Sequence, residues 1–147
     1  MITLDDLAGG KTLAEAQGMT AEMGRAIAIA AGEALATDRL QAAREILEGL
    51  VTTNPRDPLA WALLSTACRR QGQVEAARLC AEAAARLAPA DAQVRLVRAE
   101  ALLAGGERER GRAELEALAG EGGSPGQRAR ALLAALGAPL AGPGAPR

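Results

Sequence analysis

Apolar, small and polar residues recur along the chain at an interval of 34 residues. The clearest matches between two successive copies are Ala42-Ala43 with Ala76-Ala77, Asn54-Pro55 with Ala88-Pro89, and Asp57 with Asp91. A third copy is more divergent and has glycine at positions 106 and 111, where the second copy has Gly72 and Ala77. This interval predicts an array of short units, each of which buries its apolar side against the next.

The copy that runs from Pro58 to Asp91 carries the pattern best. Its marker residues are Trp61 at the fourth place, Leu64 and Ser65 at the seventh and eighth, Cys68 at the eleventh, Gly72 in the turn, Ala77 at the twentieth and Pro89 near the end. Small residues at the eighth and twentieth places let two paired helices touch, and the proline ends the second helix. The length and the pattern together resemble the tetratricopeptide repeat.

The pattern predicts an all-α tetratricopeptide-repeat solenoid of three helix pairs, with an N-terminal helix and a C-terminal capping helix. The predicted helices are 4–17, 20–36, 40–53, 58–71, 74–87, 92–104, 108–119 and 125–136. Residues 1–19 form an N-terminal helical segment, and 20–136 form the repeat domain, with repeats over 24–57, 58–91 and 92–125. Leu132, Leu133 and Leu136 share one side of the capping helix. Residues 137–147, rich in Pro, Gly and Ala, are expected to be a disordered tail.

Composition supports this fold and narrows the range of partners. The chain has one Trp and no Phe or Tyr, so alanine and leucine supply most of the apolar volume, and both favour helices. Its 17 basic and 18 acidic residues interleave, which argues against nucleic acid as a partner. The apolar stretch 26–32 is far shorter than the roughly 20 residues that span a bilayer. Asp5 and Asp6 do not fit a secretory signal, so we expect a cytoplasmic protein.

The residues that usually carry catalysis are scarce. The chain contains no histidine and no tyrosine, so neither Cys68 nor Cys80 has a histidine base to activate it. We therefore interpret both cysteines as small buried apolar residues. Gly10-Lys11-Thr12 lacks the earlier glycine and the preceding strand of a phosphate-binding loop. We predict a protein that is not an enzyme, with no catalytic residues, no metal and no cofactor.

A binding role remains, because the first helix of each pair in such a solenoid lines a concave groove. The predicted peptide-binding residues are Ala28, Leu35, Leu59, Ala62, Thr66, Arg69, Arg70, Leu96, Glu100 and Leu103. Most of them are small or apolar, which suits an extended apolar peptide. Under the alternative interpretation, neighbouring helices bury Leu59, Leu96 and Leu103. Other repeat proteins clamp the carboxylate terminus of heat-shock chaperones with Lys, Asn and Arg at groove places. Here Ala28 and Gly32 stand at the fifth and ninth places of the first repeat, so we expect no such clamp.

Over residues 9–136 the chain resembles the translocator chaperones of type III secretion, also called class II chaperones. The best local match is Ala99–Glu107, which is similar to the family's Ala-Glu-Cys-Leu-Leu-x-x-Gly-Glu. Gly9-Gly10 and Met19-Thr20 resemble the family's entry into the first repeat, and Ala67-Cys68-Arg69 resembles its Ala-Cys-Arg tract.

The resemblance implies a small cytoplasmic chaperone that holds a hydrophobic translocator subunit before export and keeps it soluble. The bound segment would be extended and similar to Pro-x-Leu-x-x-Pro, and the chaperone would form a homodimer through its N-terminal helix. Two other functions remain open from the sequence. They are a needle-subunit chaperone that works as a heterodimer, and a general scaffold for protein–protein interaction in a bacterial assembly.

Overall fold

The computed structural model describes residues 9, 10 and 12–137. These residues form eight helices: α1 (Leu13–Ala16), α2 (Ala21–Ala36), α3 (Leu40–Thr53), α4 (Pro58–Arg70), α5 (Val74–Leu87), α6 (Ala92–Ala104), α7 (Arg108–Ala119) and α8 (Gly123–Gly137). This part of the chain contains no strand, which confirms the all-α prediction. From α2 to α7 each predicted boundary agrees with the structure to within one residue. None of the eight helices is long and apolar enough to cross a membrane.

The segment before α2 differs from the helix predicted over 4–17. Gly9 and Gly10 form a turn, and α1 is a single helical turn that begins only at Leu13. The hydroxyl of Thr12 accepts a hydrogen bond from the N–H of Glu15, whose carboxylate accepts one from the N–H of Thr12. This capping box fixes the start of the helix. Residues 1–8 and 11, which are 9 of the 19 residues of the predicted N-terminal segment, lie outside the described residues, as do 138–147 of the predicted tail.

Helices α2 to α7 pack as three pairs, α2 with α3, α4 with α5 and α6 with α7. We call α2, α4 and α6 the first helices and α3, α5 and α7 the second helices. Small residues stand at the eighth place of each repeat, in the first helix, and at the twentieth, in the second helix. These residues are Ala31, Ser65 and Ala99, and Ala43, Ala77 and Gly111. All six are buried, so the paired helices approach closely without a large side chain between them.

Trp61, the single aromatic residue, joins two layers of the core. Its side chain packs against the cluster formed by the first two helix pairs and against the cluster between α4, α5 and α6. Its indole N–H donates a hydrogen bond of 2.8 Å to the carbonyl oxygen of Pro55. The large residue at the fourth place therefore fills the gap between repeats and satisfies its own polar atom.

The capping helix α8 closes the last repeat, as predicted. Leu132, Leu133 and Leu136 pack with the buried Leu115 and Leu118 of α7. The contact between α7 and α8 is as extensive as the contact within the first helix pair. An apolar surface that would otherwise end the solenoid is thereby covered.

The recurring aspartate and glycine positions act at helix ends. Asp57 and Asp91 are the N-caps of α4 and α6, and each carboxylate accepts hydrogen bonds from the first turn of its helix. At the turn inside each pair the backbone enters the left-handed region, with φ of 60° at Asp38, 78° at Gly72 and 82° at Gly106. Glycine adopts this conformation without steric cost, and aspartate is among the few other residues that tolerate it.

Candidate functional site

One side of each first helix is free of the second helices, and we call this surface the first-helix face. The face includes some residues at the sixth and twelfth places, and its members that are exposed or half-buried in all three repeats stand at the second, ninth and thirteenth places. They are Arg25, Gly32 and Ala36 on α2, Leu59, Thr66 and Arg70 on α4, and Gln93, Glu100 and Ala104 on α6. Because α2 contacts α4 and α4 contacts α6, these places form a continuous surface across the three repeats.

Four of the predicted groove residues lie inside the protein instead of on this face. Ala28, Ala62 and Leu96 at the fifth place, and Leu35 at the twelfth, are all buried. Ala62 is only 2% exposed and packs with Val94 and Val97, among others. Ala62 is therefore a core residue and does not line an open groove, contrary to its place among the predicted peptide-binding residues. Alanine at the fifth place of the first two repeats lets successive first helices come so close that this place becomes part of the core, and Leu96 in the third repeat packs into the cluster with Leu115 and Leu118.

Leu59, Leu96 and Leu103 were predicted either to line the groove or to be buried by neighbouring helices, and they differ in this respect. Leu96 is buried, and Leu103 is half-buried against the cluster between α6, α7 and α8. For these two the alternative interpretation, burial by neighbouring helices, is correct. Leu59 is 40% exposed and stays on the first-helix face, with the half-buried Thr66 two helical turns further along the same side of α4.

The charged residues of the predicted groove link neighbouring elements through ion pairs and hydrogen bonds. Glu100 of α6 accepts a hydrogen bond of 2.8 Å from Arg69 of α4 and one of 3.3 Å from Arg128 of α8. Arg70 donates to the carbonyl oxygen of Leu35 at 2.7 Å and to the carboxylate of Asp38 at 3.0 Å. These arginines therefore connect the first helices of adjacent repeats, and Arg128 extends the connection to the capping helix.

The prediction missed three residues that belong to this face. Arg128 lies in the capping helix, beyond the repeats from which groove places were counted. Ile29, 62% exposed, and the half-buried Leu63 stand at the sixth place of the first and second repeats. Their shared place in the 34-residue register was a signal in the sequence. Large apolar side chains that recur at an exposed place of the repeat indicate a binding surface, as they do at the second place.

A cleft of about 400 Å³ opens where α1, the starts of α2 and α4, and the end of α3 meet. Its lining includes Met19, Gly24, Arg25, Leu50 and Leu59. Arg25 and Leu59 also belong to the first-helix face, so the cleft lies at the edge of that face. Its volume is sufficient for one or two large side chains of a partner.

The two cysteines are buried, as predicted. Burial raises the pKa of the Cys80 thiol to about 12 and also raises the pKa of Cys68. The thiols therefore stay protonated at neutral pH, and a protonated thiol is a poor nucleophile and a poor metal ligand. Within residues 9, 10 and 12–137, no group of three or more His, Cys, Asp or Glu side chains is arranged to hold a metal ion.

The fold that these helices form is also found in solved structures from type III secretion systems. The chain shares the fold of the Yersinia enterocolitica type III secretion translocator chaperone SycD, with a TM-score of 0.73 and 19% identity, over 86% of this chain and 99% of SycD. A chain in a type III secretion complex from Aeromonas hydrophila also has a TM-score of 0.73, with 17% identity over 90% of this chain and 92% of that one. The resemblance seen in Ala99–Glu107 is thus confirmed at the level of the fold. No family model and no curated protein matches the sequence.

Proposed function

We propose that this protein is a cytoplasmic type III secretion chaperone that holds an extended segment of a translocator subunit on its first-helix face. The observation that carries the proposal is the pair of large apolar side chains exposed there, Leu59 and Ile29, on a fold shared with a translocator chaperone. Exposed apolar groups on a soluble fold commonly mark a protein-binding surface. The bound subunit would be kept soluble and competent for export.

The dimensions of the face suit a short extended segment. The axes of packed helices lie about 8–10 Å apart, so the distance from α2 to α6 is roughly 20 Å. An extended segment of about six residues spans this distance. We propose that one large apolar side chain of the segment enters the cleft beside Leu59 and Arg25, and that the rest crosses Leu63 and Thr66. A six-residue segment similar to Pro-x-Leu-x-x-Pro has the required length.

The partner can be identified by purifying the tagged protein from its source organism and analysing the bound proteins by mass spectrometry. We expect a protein with paired hydrophobic segments, as a translocator subunit has. A very short helical protein in its place would contradict the translocator assignment and favour a needle-subunit chaperone. Homodimerisation through residues 1–19 stays a prediction, and the mass of the complex in sedimentation tests it.

The face can then be tested with two matched variants, Leu59→Glu and Leu79→Glu. Leu59 is 40% exposed on a first helix, and Leu79 is 57% exposed on the second helix α5. A carboxylate at position 59 would be desolvated by the bound segment, so we expect affinity to fall about tenfold or more. The same charge at position 79 should leave affinity unchanged. Equal effects of the two variants, with circular dichroism of folded protein in both, would contradict the assignment of the face.

A further inference from the structure

The side chains of Arg69, Glu100 and Arg128 form a cluster on the first-helix face in which positive charge is in excess. Both oxygens of the Glu100 carboxylate are engaged, one by Arg69 and the other by Arg128. The Glu100 side chain is 13% exposed, whereas those of Arg69 and Arg128 are 28% and 56% exposed. The carboxylate is therefore covered, and the two guanidinium groups lie nearer the solvent.

The neighbouring residues do not remove this excess. Arg70 pairs with Asp38, whose side chain is 80% exposed, and an ion pair so open to water contributes little. The three arginines of this end of the face, Arg69, Arg70 and Arg128, thus meet two carboxylates, Glu100 and Asp38, which leaves one positive charge.

The opposite side of α6 has the reverse balance. There Arg95 and Arg98 pair with three carboxylates, those of Glu82, Glu114 and Glu121. The chain as a whole has a net charge of −1, but the ion pairs distribute charge unequally between the two sides of this helix. An acidic ligand is favoured on the first-helix face and disfavoured on the other side.

The guanidinium groups of the cluster also have unused donors. An arginine carries five N–H donors, and Arg69 and Arg128 each use one nitrogen in a hydrogen bond to Glu100. A second carboxylate could accept from the outward-facing nitrogens of both side chains. Such charge-assisted bonds are among the strongest polar interactions in proteins.

We propose that the segment bound on the first-helix face carries an aspartate or glutamate among its apolar residues, and that this carboxylate binds to Arg69 and Arg128. This inference rests on the proposed function and adds the chemistry of the partner to it. A lysine or arginine at the same point of the segment would meet like charge, so the cluster also discriminates against basic segments.

The probe is a display library of random twelve-residue peptides selected on the purified full-length protein. We expect the selected peptides to combine apolar residues with one Asp or Glu and to be depleted of Lys and Arg. Replacement of the acidic residue in a selected peptide by Asn or Lys should weaken binding about tenfold or more, as measured by fluorescence anisotropy.

Two protein variants assign the effect to the cluster. Arg128→Gln removes one positive charge from the cluster at an exposed site, and Arg112→Gln removes one from a solvent-exposed pair with Glu116 on α7. The preference for the acidic peptide over its Asn form should decrease severalfold in Arg128→Gln and persist in Arg112→Gln. Folding of both variants is verified by circular dichroism.

The outcomes separate this inference from the proposed function. The selected peptides could be apolar, bind the Leu59→Glu variant more weakly than the wild type, and show no preference for an acidic residue. That result would overturn the inference and leave the proposed function standing. Acidic peptides whose preference survives in Arg128→Gln would overturn the role of the cluster. Failure to select any peptide that depends on Leu59 would contradict the proposed function, and the inference with it.

Discussion

The hydroxyl of Ser65 donates a hydrogen bond of 2.7 Å to the main-chain carbonyl oxygen of Ala77, across the contact between α4 and α5. Ser65 is 1% exposed and Ala77 is completely buried. The two residues stand at the eighth and twentieth places of the repeat, where helices of a pair approach most closely. A small side chain at each place is therefore a condition for the helix pair, and the serine adds a polar link that only close packing permits.

Ala77→Leu should be among the most destabilising of conservative substitutions. The added carbons have no space between α4 and α5, and overpacking of this kind costs about 1–3 kcal/mol. It would also separate Ser65 from its acceptor. Chemical denaturation gives the free energy of unfolding, and Ala42→Leu, at an exposed place on α3, is the matched control. Equal midpoints for the two variants would show that the assigned register is wrong.

The third repeat has glycine at the twentieth place because Leu103 occupies the space of a side chain there. A Cβ atom on Gly111 would lie 2.8 Å from Cγ of Leu103 and 3.2 Å from the carbonyl oxygen of Ala99. Replacement of a helical glycine by alanine normally raises the free energy of unfolding by about 1 kcal/mol. We therefore expect Gly111→Ala not to show this increase.

The pairing of Gly111 with Leu103 can be measured in a double-mutant cycle. In a Leu103→Ala background the side chain that conflicts with the new Cβ is gone. Gly111→Ala should then be more favourable than in the wild type by about 1 kcal/mol in unfolding free energy. A coupling energy near zero would mean that Leu103 does not fill this space, which would contradict its packing against the cluster between α6, α7 and α8.

The sequence predicted the fold better than the site, and the reason is physical. Helix boundaries depend on local signals, such as the aspartates before α4 and α6, and on a register that repeats three times. The exposure of a groove residue depends instead on the distance between neighbouring first helices. The 34-residue spacing of the repeat does not specify this distance. Ala62 is buried because its neighbours approach closely, whereas Leu59, one turn earlier, is 40% exposed. The helix predicted over 4–17 was too long, because the capping box formed by Thr12 and Glu15 starts α1 at Leu13.

Gly126 at the start of α8 should be intolerant of a side chain. A Cβ atom there would clash with the main-chain carbonyl group of Glu121 and would lie 3.1 Å from the carbonyl oxygen of Leu118. Backbone cannot move aside as a flexible side chain can, so we expect Gly126→Ala to lower the unfolding free energy by about 1–3 kcal/mol. Helix α8 should detach first, which amide hydrogen exchange would show as faster exchange in residues 123–137.

Gly49 provides the matched control for this substitution. It is an exposed glycine within α3, and nothing lies within 4 Å of the Cβ atom that alanine would add. Gly49→Ala should therefore stabilise the protein by about 0.5–1 kcal/mol, because alanine is the better helix former. If both substitutions stabilised the protein, the close approach between α8 and the end of α7 would be disproved.

The buried thiols should make the protein less stable in alkali. Burial raises the pKa of Cys80 to about 12 in the folded protein, and an unfolded thiol ionises near its ordinary value of about 8.5. Between about pH 9 and pH 12 the unfolded chain therefore releases a proton that the folded chain keeps. Unfolding is then favoured, so the free energy of unfolding falls as pH rises through this window and is unaffected by these thiols below it.

This window is unusually free of other titrating side chains, because the chain has no tyrosine and Lys11 is its sole lysine. Arg44 and Glu48 are the charged residues that act on the thiols, and the hydrogen bond to Glu48 raises the pKa of Arg44, so the guanidinium keeps its charge throughout this window. We expect urea midpoints, measured under a phosphine reductant at pH 7.5, 9 and 10.5, to fall in the wild type and to fall much less in a Cys68→Ala, Cys80→Ala double variant. Val51→Ala, which removes carbons from the same cluster and keeps both thiols, should retain the full pH dependence. A double variant as sensitive to alkali as Val51→Ala would show that the alkaline loss of stability arises elsewhere.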